Sequence, residues 1–156
     1  MGDDGGPVGD DWTLWLAVTA MRDAVERALE QRLQRDAGLS LADFEVLRGL
    51  AGAGGHRLRA GALAEVLGWE KSRISHQVRR MADRGLLQRA ECPTDGRGTW
   101  VVLADAGRDA FASAACGYSE VLREGFIDRL DPAERTVLHD VADRVRAAGS
   151  ARPEHV

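Results

Sequence analysis

The stretch SRISHQVRRMADRGLLQR, residues 72–89, contains five arginines and follows directly after Lys71, although the whole chain of 156 residues has a net charge of −4. Between residues 57 and 97, nine basic residues are accompanied by only five acidic ones. Physiological salt screens charges beyond about 8–10 Å, so a local cluster of cations attracts an anionic partner even on an acidic protein. The position of these basic residues in the fold therefore indicates where an anionic partner would bind.

The sequence around this stretch predicts a helix-turn-helix. A short helix is expected over residues 60–67, Gly68 supplies the turn, and a second helix is expected over residues 71–84, ended by a glycine. At 100° per residue, the basic side chains of the second helix lie opposite an apolar stripe. That stripe consists of Ile74, Val78 and Met81.

A β-hairpin is predicted directly after the second helix. Residues 86–90 and 99–103 read as short strands, and the segment 93–98 between them is rich in turn residues. A hairpin in this position is a wing, which reaches an adjacent minor groove of DNA. Arg97 lies at its tip between two glycines and suits a narrow minor groove, and Asp95 either orients an arginine or fixes the turn.

The second helix carries the residues expected to contact DNA. Arginine and glutamine match the edges of guanine and adenine, and histidine can donate to a guanine acceptor, so we expect Arg73, His76 and Gln77 to read bases. Hydroxyl and cationic side chains suit phosphates. The other interpretation is a charged face that is merely solvated. The candidates for phosphate and further basic contacts are Arg59, Lys71, Ser72, Ser75, Arg79 and Arg80.

Long amphipathic helices are predicted on both sides of this region. A helix over residues 12–36 measures about 36 Å, which is longer than the core of a small domain and suggests packing against a partner. Ser40 and Asp43 form a variant capping box that begins the next helix. Residues 105–130 continue as helix, and the segment Asp131–Glu134 begins a last one. The predicted fold class is mainly α with a small β-hairpin wing.

Several classes of function are disfavoured by the sequence. No apolar run is long enough to cross a bilayer and the acidic start does not resemble a secretion signal, so we expect a cytoplasmic protein without membrane contact. Cys92 and Cys116 lack metal-ligand spacing, which leaves structural thiols or a redox role open. We find no phosphate loop, nucleophile elbow or cofactor motif, so neither an enzyme nor a cofactor or metal site is expected.

The residues quoted so far, together with the wing, resemble the MarR (multiple antibiotic resistance regulator) family of winged helix-turn-helix transcription factors. Residues 95–104, DGRGTWVVLA, match the wing signature D-x-R-x-x-x-V-x-L-T except at Ala104. The pieces LADFEVL (41–47), LAEVLG (63–68) and RGLL (84–87) also match. Trp69 and Glu70 depart from the usual aliphatic residue and hydroxyl cap before the second helix.

The resemblance implies a homodimer that reads palindromic double-stranded DNA, usually as a repressor, and that often responds to a small aromatic ligand. Composition predicts a disordered tail at residues 1–11 and a frayed tail at residues 149–156, and the resemblance covers the single domain between them, residues 12–148. Within the domain, residues 12–38 and 105–148 would dimerise and residues 40–104 would form the winged helix. A ligand pocket lined by aromatic residues is one hypothesis, and plain packing is the other. The candidate lining residues are Trp12, Trp15, Phe44, Tyr118 and His139.

A winged helix can also serve as a protein-interaction module that does not read DNA, since a fold does not fix a function. The acidic remainder of the chain and Glu70 beside the basic helix are compatible with that alternative. Reversing the charge of the basic face separates the two hypotheses, because only a DNA reader loses duplex binding while its assembly is retained.

Overall fold

The computed structural model describes residues 7–91 and 99–150. The chain is mainly helical, with one small antiparallel sheet, as the sequence predicts. The elements in chain order are α1 (Pro7–Ala37), α2 (Leu41–Ala51), a 3-10 turn (Gly54–His56), β1 (Arg57–Arg59), α3 (Ala60–Leu67), α4 (Lys71–Asp83), β2 (Leu87–Glu91), β3 (Thr99–Leu103), α5 (Asp105–Gly125), a second 3-10 turn (Ile127–Arg129) and α6 (Pro132–Ser150).

The outer boundaries of the helical part differ from the prediction. Helix α1 begins at Pro7, so the assignment of residues 7–11 to an irregular tail is wrong. Proline suits the first turn of a helix, where its missing N–H is not needed, and Asp10 complements the positive end of the helix dipole. The predicted tail at 149–156 likewise begins too early, because α6 continues to Ser150. The predicted helix 105–130 ends at Gly125, before a 3-10 turn.

The junction between α1 and α2 is fixed by local hydrogen bonds. Gly38 has φ +62°, and its N–H donates to the Gln34 carbonyl at 3.0 Å, so a left-handed glycine cap closes α1. The Leu39 N–H also donates to the Leu33 carbonyl, at 3.3 Å. The capping box is confirmed, because the Asp43 N–H donates to Ser40 Oγ at 3.0 Å and the Ser40 N–H donates to Asp43 Oδ2 at 2.9 Å. The start of α2 is therefore held rigidly.

The sheet has three strands rather than the predicted two. Strand β3 lies in the centre and pairs antiparallel with β1 and β2, with Leu58 opposite Val101 and Leu87 opposite Leu103. Strand β1 was not predicted because it has only three residues, two of them arginines, and gives no clear alternation. The sheet and the hydrophobic core position α3 and α4. Core residues with no exposed surface include Leu47, Leu50, Leu63, Ile74 and Met81.

Replacing Gly107 by alanine is expected to lower the free energy of unfolding by about 1–3 kcal/mol. Gly107 is buried in the first turn of α5, where a Cβ atom would clash with the backbone carbonyl oxygen of Leu86 and lie 3.0 Å from Cδ1 of Leu103. Urea denaturation measures the loss. Gly61→Ala in α3 is the matched control, since a Cβ added there would meet nothing within 4 Å and alanine favours helix. Equal effects at both sites would contradict this account.

Candidate nucleic-acid interface

The turn between α3 and α4 has the geometry of a helix-turn-helix. Gly68 adopts φ +64°, and the Trp69 N–H donates to the Ala64 carbonyl at 2.9 Å, which ends α3 in a tight turn. Glu70 precedes α4 but its side chain makes no capping hydrogen bond. The first-turn N–H groups of α4 thus have no side-chain cap from this residue, and they carry the positive end of the helix dipole.

Helix α4 has one buried and one exposed face, as predicted. Ile74, Val78 and Met81 are buried in the core. Within the described part of the chain, no ion pair involves any of the four exposed cations of α4, so their charges are available to a partner. The exposed residues of α4 are Lys71, Ser72, Arg73, Ser75, His76, Arg79, Arg80 and, at the C-terminal end, the acidic Asp83.

Gln77 does not belong to the exposed face, and its prediction as a base-reading residue is wrong. Its side chain is 6% exposed, and Nε2 donates to Asp43 Oδ1 at 2.6 Å. The spacing of Gln77 from Ile74 and Met81, three and four residues, places it on the buried side of the helix. That spacing was the available signal, but a buried glutamine requires a partner, and this one lies 34 residues away.

Asp43, in the first turn of α2, connects this helix to α4 and to Arg84, the residue that follows α4. Its carboxylate is 1% exposed and also accepts from Arg84 Nη1 at 2.7 Å, while Arg84 Nη2 donates to the Gly38 carbonyl at 2.8 Å. Burial raises the pKa of Asp43, but hydrogen bonds from Ser40 and Arg84 more than offset it, so the pKa lies below the ordinary value. The sequence indicated Asp43 only as a cap and Arg84 only as a cation.

Two exposed residues at the start of α4 have specific contacts. The guanidinium of Arg73 lies over the ring of Trp69, with 3.6 Å between Cζ and the ring centroid. Ser75 Oγ donates to the Lys71 carbonyl at 2.9 Å, and its oxygen can still accept a hydrogen bond. Both residues therefore stay on the exposed side where the sequence placed them.

A second group of basic side chains lies at the base of the wing, where β1 pairs with β3. Arg57 and Arg59 on β1 lie over the ring of Trp100 on β3, with 4.8 and 5.6 Å between Cζ and the ring centroid. Arg59 was among the predicted contacts, whereas Arg57 and Trp100 were missed because β1 itself was missed. The predicted wing-tip residues Asp95 and Arg97, and Cys92, lie outside the described residues.

The five aromatic and histidine candidates for a ligand pocket do not form one site. Phe44 and Tyr118 stack with 4.3 Å between ring centroids, while Trp12 and Trp15 are 64% and 61% exposed on α1. His139 lines a separate groove between α6 and the end of α5. Within one chain these residues do not converge on a single pocket, because helical spacing of aromatic residues does not tell which helix faces which.

A cavity of 320 Å³ nevertheless lies between α1, α2 and α5. Tyr118 is the one predicted residue that lines it. Burial raises the pKa of the Tyr118 hydroxyl, with Arg48 opposing and Glu45 adding to the shift, so the phenol is neutral at physiological pH. The apolar walls are provided by Met21, Val25, Leu29, Leu41, Leu122 and Phe126.

Helices α1 and α6 expose several large apolar side chains that the described part of the chain does not cover. Helix α6 is exposed at every residue from 132 to 149. The first half of α1 is exposed in a similar way. The large apolar residues concerned are Trp12, Leu14, Trp15, Leu16, Val18 and Met21 on α1, and Val137, Leu138, Val141 and Val145 on α6.

Membrane spans and metal clusters are both absent from the part of the chain that the structure describes. No helix there combines the length and apolar character needed to cross a membrane. No group of three or more histidine, cysteine or acidic side chains there is placed to hold a metal ion.

Comparisons with known proteins agree with this architecture. The family model for the MarR family matches residues 37–98. No curated protein matches the chain. Among solved structures, Sco3205 from Streptomyces coelicolor, a MarR family transcriptional regulator in complex with DNA, is 30% identical with a TM-score of 0.85, over 94% of this chain and 90% of that one.

Two other solved structures are similar over most of their length. AbsC from Streptomyces coelicolor, a MarR family transcriptional regulator, is 28% identical with a TM-score of 0.86, over 97% of this chain and 99% of that one. The organohalide-sensing regulator RdhR-CbdbA1625, bound to 2,4-dichlorophenol, is 21% identical with a TM-score of 0.82. The match covers 95% of this chain and 86% of that one, and it shows that the two proteins share a fold. The chain belongs to the MarR family of transcriptional regulators.

Proposed function

We propose that this protein is a homodimeric transcriptional regulator that reads a palindromic site in double-stranded DNA. The observation that carries the proposal is the exposed face of α4. Lys71, Arg73, Arg79 and Arg80 project from it without an ion-pair partner among the described residues, opposite a fully buried stripe. A helix fits the major groove, where arginine matches both phosphate and guanine. The similar protein Sco3205 is a family member in complex with DNA.

Dimerisation is supported by the uncovered apolar surface of α1 and α6. Val141 and Leu138 are 39% and 38% exposed on α6, and Leu14 is 66% exposed on α1. Burying an apolar side chain of this size contributes about 1.5–3 kcal/mol, so a second copy is the partner that these helices favour. A two-fold dimer would present two α4 helices about 34 Å apart, one turn of the duplex, which requires a palindromic operator.

The regulator acts as a repressor in this proposal, and an aromatic ligand releases it from DNA. The cavity of 320 Å³ adjoins α1, which dimerises, and α2, whose Asp43 holds α4. A ligand between these helices would change how α4 is presented to DNA. Its apolar walls and the neutral Tyr118 hydroxyl suit a small aromatic molecule. The regulator RdhR-CbdbA1625, which has the same fold, is found with 2,4-dichlorophenol.

Selection of binding sites from random duplex DNA tests the proposal. We expect an enriched inverted repeat, two chains per duplex by sedimentation, and an affinity that falls steeply with salt in fluorescence anisotropy. The matched control is a duplex in which one half-site is scrambled, which should bind far more weakly because a dimer needs both. Sequence-blind binding by a dimer would contradict DNA reading and favour an interaction module. Binding by one chain per duplex would contradict the dimer.

A further inference from the structure

We infer that Trp69 is a positioning residue that holds Arg73 ready for DNA, an inference that rests on the proposed function. The guanidinium of Arg73 lies over the Trp69 ring, with Cζ at 3.6 Å from the ring centroid. This is van der Waals contact, the closest of the three arginine–tryptophan stacks among the described residues. Trp69 stands just before α4 and Arg73 lies in its first turns, so the stack is at the edge of the basic face.

The ring that holds Arg73 is itself fixed. Trp69 is half-buried, and its side chain packs against the hydrophobic core. Its backbone N–H donates to the Ala64 carbonyl in the turn that Gly68 makes possible. A tryptophan anchored by core packing and by a tight turn is a rigid platform, and a long arginine side chain on it loses much of its freedom before DNA arrives.

Stacking leaves the useful atoms of Arg73 available. The ring covers one face of the guanidinium plane, whereas the five N–H donors point outward within that plane. Stacked arginine can therefore still donate two parallel hydrogen bonds to a guanine edge or a phosphate. An arginine that is already ordered loses less entropy on binding, which increases affinity without any new contact.

Acidic residues share a groove with Arg73 and could draw its guanidinium away from DNA. Trp69, Arg73 and Arg80 line a groove of 540 Å³ that is also lined by three acidic residues of α1 and α2, Glu26, Glu30 and Glu45. Without the ring, Arg73 is free to turn toward these carboxylates and away from DNA. Glu30 already accepts from the Leu41 N–H at 2.6 Å, but Glu26 and Glu45 also offer negative charge. Trp69 thus favours the DNA-competent arrangement of Arg73.

The test measures operator affinity in a double-mutant cycle. Trp69→Leu keeps apolar packing but removes the aromatic face, and we expect it to weaken specific binding about 3- to 10-fold. Trp69→Phe keeps a face and should stay within about twofold of the wild type. Because Trp69 acts through Arg73, Trp69→Leu should have no further effect in an Arg73→Ala background. Melting temperatures of the Leu and Phe variants serve to exclude a difference in folding.

The outcomes separate this inference from the proposed function. Equal operator affinities of Trp69→Leu and Trp69→Phe, or an undiminished effect of Trp69→Leu in the Arg73→Ala background, overturn the role of Trp69 alone. Failure of the wild type to bind any duplex selectively overturns the proposed function, and this inference with it. Arg123→Ala, on the exposed surface of α5, measures what the loss of one positive charge does without a stack.

Discussion

Exchanging Arg79 and Arg80 for glutamate is expected to lower operator affinity at least about 100-fold, with a shallower dependence on salt. Both side chains are exposed on α4, and neither has an ion-pair partner among the described residues, so in the complex they would neutralise phosphates. Each lost phosphate contact reduces the slope of log affinity against log salt by about 1, and each new carboxylate adds repulsion. Fluorescence anisotropy at several salt concentrations measures both quantities.

The fold, and with it the proposed dimer, should survive this double exchange. Neither arginine contributes to the core or to a described hydrogen bond, and α4 is held by Ile74, Val78 and Met81 on its other side. The matched control is Arg35→Glu with Arg123→Glu, which makes the same change in net charge on exposed surface outside α4 and the sheet, and sedimentation checks that this control still assembles because both residues lie in helices predicted to dimerise. If both double variants lost DNA equally, net charge rather than the α4 face would be responsible. If neither lost it, the face assignment would be wrong.

Replacing Asp43 by alanine is expected to lower the free energy of unfolding by about 3 kcal/mol, the lower end of the range for breaking a buried ion pair. The side chain of Asp43 is 2% exposed, and its loss leaves the amide of Gln77 without an acceptor in the core. Arg84 is 43% exposed and recovers part of its hydration, which limits the loss. Urea denaturation measures the change. Asp43→Asn retains shape and one acceptor, and should lose less.

The same carboxylate predicts how stability depends on pH. The pKa of Asp43 is lowered in the folded protein, so its contribution is present above the ordinary carboxyl pKa of about 3.9 and is lost as pH falls through the lower, folded value. Asp43→Asn cannot titrate and should lose less stability than the wild type over that acidic range. If the free energies of unfolding of the two proteins fell in parallel as the pH was lowered, the carboxylate would have the same pKa in the folded and unfolded states.

The helices of the winged region were predictable because their signals are local. The spacing of Ile74, Val78 and Met81 placed the buried side of α4, and Gly68 and Gly85 marked its limits. Gln77 was misplaced because its burial depends on Asp43, a residue distant in sequence. A polar residue within an apolar stripe is interpreted correctly only when its partner is known, and periodicity gives no information about partners.

Other parts of the site were hidden for different reasons. Strand β1 is stabilised by pairing with β3, so the cation–π contacts of Arg57 with Trp100 exist only after the sheet forms. The stack of Arg73 on Trp69 has a spacing of four residues, yet Trp69 precedes the helix and follows Gly68, which has φ +64°, so helical spacing does not predict the contact. Such contacts depend on tertiary structure, which no short window of sequence contains.

If a second chain covers the exposed helix α6, as proposed, the stability of the protein depends on its concentration. A helix of 19 residues that buries so little in its own chain is marginal in water, so in the proposed dimer its folding and the association of two chains would be one equilibrium. By mass action, the folded fraction then rises with the amount of protein. A regulator built this way would be poorly folded when scarce and become a competent dimer only as it accumulates, so the level of its own expression would set a threshold for its activity.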